Sequence, residues 1–176
     1  MSESVGENGD PNPPENAELL SDPTKRREYY RQISVSSTEF NVLLVPTVLL
    51  WLQDSWSEIR KDCARWIRCR LGDISPEAER LLLSTLVDCI RSDTNPWQAI
   101  HGSLLGITEM IQQSSEVTVC DVVRTLCLSL VGSNLAPVRE AATACVSKLV
   151  ASGQISTAVL ISNILSSIMS IYSGGK

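Results

Sequence analysis

The feature that most constrains this chain is a pattern that returns about every 40 residues. Three segments superpose without gaps: DSWSEIRKDCARWI from 54, NPWQAIHGSLLGIT from 95 and SNLAPVREAATACV from 133. The starts are 41 and then 38 residues apart. Each opens on a residue that caps helices: Asp54, Asn95, Ser133. Five positions on, each has a β-branched apolar residue: Ile59, Ile100, Val138. Arg60, His101 and Arg139 follow directly. Small or apolar side chains then recur at helical offsets, first Cys63, Leu104 and Ala142, then Trp66, Ile107 and Cys145. A unit of this length holds two helices, which cannot bury an apolar face alone and must stack on neighbours.

Apolar spacing and breaks predict helices near 23–33, 38–53, 56–71, 76–91, 96–113, 117–132, 136–151 and 155–172. Ser75-Pro76-Glu77-Ala78-Glu79 is a strong start signal, with Pro at the first helical position and acids in the first turn. Ser21-Asp22-Pro23 begins a lead helix made basic by Lys25, Arg26, Arg27 and Arg31. Val35, Val42, Val45 and Val48 are β-branched, but no hairpin dipeptide supports strands. The expected fold is therefore all-α. Residues 1–21, rich in Ser, Glu, Asn, Gly and Pro, read as a disordered tail. The lead helix and a linker fill 22–37, the repeats fill 38–172, and 173–176 is a short tail.

The stretch VPTVLLWLQDSWSEIR resembles a HEAT repeat, with Pro46 in the first helix, Asp54 in the turn and Ile59-Arg60 early in the second helix. NLAPVREAATACV is similar to the start of a HEAT second helix. The middle copy departs from the pattern: His101 replaces the Arg and no first-helix Pro is present. The resemblance spans roughly 38–151 and implies an α-solenoid of the HEAT/armadillo type with about three helix pairs in a right-handed stack. Within it, W-x-x-x-H-G-x-L-L-G-I from Trp97 to Ile107 is similar to helices of several very large HEAT proteins. These are the remover of TATA-binding protein, tubulin-folding cofactor D, and the THADA-type partner of a tRNA methyltransferase. In the first two an Arg precedes the His, where this chain has Ile100.

The register assigns His101, the only histidine, to a structural position between repeats. In such a stack Asp54 and Asn95 cap second helices, while Arg60, His101 and Arg139 form a ladder whose Arg reaches the neighbouring repeat's turn carboxylate. No nucleophile or orienting carboxylate with a recognisable motif lies near His101 in sequence, as catalysis would require. Gly102 and Gly106 share one helix face and allow close approach of another helix. On the 56–71 helix, Lys61, Arg65 and Arg68 make a basic row facing an acidic partner or phosphates, with Glu58 and Asp62 one turn away. Trp51, Trp56, Trp66 and Trp97 read as core or inter-helix packing; if one is exposed, Trp97, at a helix start, is the candidate anchor for a partner.

A net charge of −5 argues against a dedicated nucleic-acid binder. The six cysteines form no CxxC pair and read as small buried thiols in a reducing compartment. The chain carries no Gly-rich phosphate loop, nucleophile elbow or paired His-Glu metal signature. No catalytic residue, cofactor, metal or small-molecule substrate is expected. Residues 155–172 carry no charge, yet Ser156, Thr157, Ser162, Asn163, Ser166, Ser167 and Ser170 interrupt them, so a packed helix is expected rather than a membrane span. The expectation is a non-enzymatic scaffold, cytoplasmic or nuclear, binding a protein partner in a larger assembly. An RNA-linked accessory subunit and a fragment of a longer repeat protein are the alternatives.

Overall fold

A computed structural model describes residues 21–37, 39–111, 121–162 and 165–166. The chain divides into two units, Met1–Ser36 and Ser37–Lys176. The first holds α1, Pro23–Ser36. Asp22 accepts the Thr24 amide at its start, and Glu28 pairs with Arg31 along its exposed side. All but one residue of the predicted tail lies outside the described residues.

In the second unit a 3-10 turn at Val42–Leu44 leads into α2, Val45–Leu52. Then come α3, Ser57–Arg70; α4, Pro76–Arg91; α5, Trp97–Met110; α6, Asp121–Leu130; and α7, Ala136–Ala151. Residues 157–162 are helical again. Among the described residues there is no strand. Phe40 and Ile74 make one isolated parallel bridge, tying the chain before α2 to the loop before α4. The helical reading holds, including over the valines: Val42 enters the 3-10 turn, and Val45 and Val48 are buried in α2. The predicted 38–53 helix starts late because Asn41 accepts the Leu43 amide and closes the tight turn first. Pro46 then falls in the first turn of α2, where its missing N–H costs nothing. Ser75 caps α4 by accepting the Ala78 amide, as its sequence signal implies.

Asp54, Asn95 and Ser133 do not sit at the N-caps themselves, which are Trp56, Pro96 and Leu135. Asp54 accepts the Trp56 amide at 2.8 Å, and Ser133 accepts the Leu135 amide at 3.3 Å. Both therefore shape the turn two residues on, the local bonding that short polar side chains favour. Asn95 donates to the Cys89 carbonyl at 2.9 Å and so closes the end of α4 against the start of α5.

The tightest helix partnerships are α3 with α5 and α5 with α7, together with α4–α5 and α6–α7. Helix α2 packs on α3, and more lightly on α4 and α5. Being covered from several sides, α5 is buried nearly all round: Ala99, His101, Gly102, Ser103, Leu104, Gly106, Ile107, Thr108 and Met110 are all inside. The flanking helices bury one stripe each, Ile59, Cys63, Ala64 and Ile67 on α3 and Val138, Ala141, Ala142, Cys145, Val146 and Leu149 on α7. Each large aliphatic contributes about 1.5–3 kcal/mol by leaving water. The matching positions Cys63, Leu104 and Ala142 are all fully buried.

Cys63, Cys89, Cys127 and Cys145 are buried free thiols, and Cys120 lies outside the described residues. Cys69 corrects the expectation that all six are buried, because it is exposed. It stands six residues beyond Cys63, on another side of α3 from the buried stripe. Among the described residues no helix is long and apolar enough to cross a membrane.

Candidate functional site: a buried arginine lock beneath a charged helix surface

The loop between α2 and α3 puts Arg60 one turn into α3, where the guanidinium points back beneath the loop. It is 1% exposed. Its Nη1 donates to the carbonyls of Asp54 at 2.6 Å and Ser55 at 2.9 Å. Its Nε donates to Nδ1 of His101 on α5 at 3.0 Å. Its planar head also lies over the Trp97 ring, 5.2 Å from the centroid. One side chain thus joins the α2–α3 loop to the first turns of α5. The sequence expectation sent this Arg to a neighbouring turn's carboxylate. The bonds go instead to backbone carbonyls of its own loop and to the neighbour's imidazole.

The chemistry of His101 follows from this setting. With Nδ1 accepting, the neutral ring carries its proton on Nε2. Burial first, then the charges of Arg60 and Lys61, lower its pKa from 6.5 to about 4. The ring is neutral at physiological pH, with Nδ1 already engaged. Burial also lowers the Arg60 pKa, opposed by the nearby Asp54 charge, but a guanidinium remains charged. Trp97 meets the imidazole edge-on at 6.3 Å. It is half-buried, with Arg60 over its ring. Trp56, at the same position of the preceding segment, is the exposed tryptophan at 44%.

Arg60 and His101 thus make a single contact between α3 and α5. Arg139 does not extend it: its Nη1 donates to the Ser133 carbonyl of its own loop at 2.8 Å, in an exposed position. This repeats the Arg60–Asp54 bond, six residues apart in both cases.

Above this lock, Lys61, Arg65 and Arg68 face solvent on α3. Lys61 pairs with Glu58 at 2.8 Å, and Arg65 pairs with Asp62. The hydrogen bond and charge of Lys61 hold Glu58 below the usual carboxylate pKa. Arg68 reaches across to Glu109 of α5 at 3.9 Å, and Lys148 of α7 meets the same carboxylate at 3.4 Å. Lys148 also donates to the Thr108 carbonyl at 3.3 Å. Glu109 therefore sits between a cation from each flanking helix. Neither it nor Lys148 belongs to a sequence motif. Only the side-by-side placement of α3, α5 and α7 brings them to Arg68.

Between α3 and α5 lies an open groove of about 280 Å³ lined by Glu58, Lys61, Ala64, Arg65, Leu105 and Glu109. Ala64 and Leu105 give it an apolar part, and the other lining residues are two cations and two carboxylates. Two of the three basic residues of the sequence row line it, and Arg68 stands beside it through Glu109. Among the described residues no three His, Cys, Asp or Glu side chains stand together as a metal site requires. No family model matches this chain, and neither a curated protein nor a solved structure is matched by it.

Proposed function

We propose that this chain is a non-enzymatic helical-repeat scaffold. Its α2–α3, α4–α5 and α6–α7 pairs are three consecutive HEAT-like repeats, with residues 157–162 as the start of a further first helix. The scaffold holds an extended segment of a protein partner across α3, α5 and α7, within a larger cytoplasmic or nuclear assembly. The carrying observation is the groove between α3 and α5, where charges of both signs surround Ala64 and Leu105. A peptide brings apolar side chains and both signs of charge to such a surface. Polyphosphate brings one sign only. The cations Lys61, Arg65 and Arg68 each have a carboxylate partner, which weakens the field an RNA backbone would meet.

The test is affinity capture of the full chain from its own lysate, with and without nuclease. Wild type is compared with Lys61→Glu/Arg65→Glu. Protein partners that survive nuclease and are lost from the double variant support the scaffold reading. Partners that vanish with nuclease, accompanied by recovered RNA, overturn it in favour of the RNA-linked accessory subunit.

A further inference from the structure

Two buried thiols meet where α6 packs on α7. Cys127 Sγ donates to Cys145 Sγ at 3.3 Å, and both residues are fully buried. They are 18 residues apart in sequence and come from the two facing helices of one pair. The scaffold reading uses neither of them. We propose that Cys127 and Cys145 form a modification site, closing into an intrachain disulfide when a small peroxide oxidises the folded protein.

A disulfide bond is about 2.05 Å long, so the sulfurs, already 3.3 Å apart, close by roughly 1.3 Å. The two thiols are also chemically unequal. The hydrogen bond from Cys127, then Thr108 and the charge of Lys148, hold the Cys145 thiol below its ordinary pKa against the effect of burial. The same bond, with burial, pushes Cys127 up. Cys145 is thus the sulfur assigned the first attack, with Cys127 as its resolving partner.

The atoms balance in two steps. The Cys145 thiolate attacks one oxygen of hydrogen peroxide. The O–O bond breaks, hydroxide leaves and takes a proton to become water, and a sulfenic acid remains on Cys145. The Cys127 sulfur then attacks the sulfenic sulfur. A second water carries away the OH and the Cys127 proton, and the S–S bond forms. The peroxide is reduced and two thiols are oxidised. A thiol reductant reverses the change by exchange once local opening exposes the bond. Burial excludes bulky oxidants and favours a water-sized one. The result is a covalent link from α6 to α7, one helical turn from Lys148 and its contact with Glu109.

The experiment uses the reduced full chain carrying Cys69→Ser, which removes the thiol that is exposed among the described residues. It is treated with hydrogen peroxide in native buffer, alkylated in denaturant and mapped by peptide mass. The expected result is the loss of two alkylatable thiols, with the Cys127 and Cys145 peptides joined and released by reductant. The melting temperature of the oxidised chain rises by roughly 5 °C or more, since the closed loop restricts the unfolded chain. Oxidation of the folded chain that leaves these two peptides unjoined overturns the proposal. So does linkage that forms only after denaturant is added. In Cys127→Ala/Cys145→Ala the rise in melting temperature disappears, and a rise that persists there overturns it as well. The mapping needs neither alanine variant, so it stands if that chain fails to fold.

Discussion

Replacing Gly102 by Ala tests the packing of α5 directly. A methyl group there would stand 1.7 Å from the Leu52 carbonyl oxygen and 2.7 Å from its carbon, both backbone atoms at the end of α2. Neither can rotate away, so α5 must retreat by about 1.5 Å to restore ordinary contact, a shift that overpacked cores resist. Three terms set the magnitude. Ala gains about 1 kcal/mol over Gly in helix propensity. Overpacking against fixed backbone costs about 3 kcal/mol. The retreat also stretches the Arg60–His101 bond, worth about 1 kcal/mol or more with a charged donor. The net expectation is a loss of about 3 kcal/mol. Gly106→Ala is the matched control on the same helix face. Its methyl meets the side-chain ends of Leu52 and Leu86 at 3.1 Å, which can turn aside, so the cost stays under about 1 kcal/mol. Gly72→Ala meets nothing within 4 Å and changes stability by less than about 0.5 kcal/mol. Urea unfolding followed by helical circular dichroism ranks the three. If Gly102→Ala is as stable as wild type, or costs less than Gly106→Ala, then α5 does not press on the end of α2 and the lock geometry is wrong.

Arg60→Ala empties the lock and leaves the Asp54 and Ser55 carbonyls without their donor, costing about 2–4 kcal/mol in the same assay; Arg60→Lys recovers less than half, because an ammonium lacks the planar fork. Stability also falls as pH drops. The folded His101 pKa of about 4 lies below the unfolded 6.5, so the unfolded chain binds the extra proton between them. That stability is fully present above pH 6.5 and is lost on acidification towards pH 4, by at most about 3 kcal/mol. With one histidine in the chain, urea midpoints at pH 7 and pH 5 should differ in wild type and converge in His101→Gln; an equal difference in both assigns it elsewhere. Glu109→Gln should cost about 1 kcal/mol by releasing both Arg68 and Lys148, and less in molar salt; an effect indifferent to salt would remove the ion pairs as its cause.

Much of the helical layout could be read in the chain. The bounds 76–91 and 136–151 coincide with α4 and α7, because Pro sits in the first turn of both helices and Ser75 caps α4. The register that aligned Asp54 with Asn95 put Arg60 and His101 at matching positions, and the structure joins the two directly. Its chemistry was less visible. The sequence suggested carboxylate partners for the ladder, whereas loop carbonyls stand nearer to a guanidinium folded back under its own turn. Trp97 and Trp56 occupy equivalent positions, and no local pattern distinguishes them. Trp97 is covered because Arg60 reaches over it from α3.

Apolar spacing, caps and prolines act within a few residues, so the sequence alone determined that this chain is helical and where most helices begin and end. Along the roughly 40-residue register Cys63, Leu104 and Ala142 are all buried, whereas Arg139 is exposed where Arg60 and His101 are buried. The tertiary structure decided which charges meet. Arg68, Glu109 and Lys148 come from three different helices, and Cys127 finds Cys145 across a helix pair. Such meetings depend on the distance and rotation between helices, which packing of the whole core sets and which no local run of residues encodes.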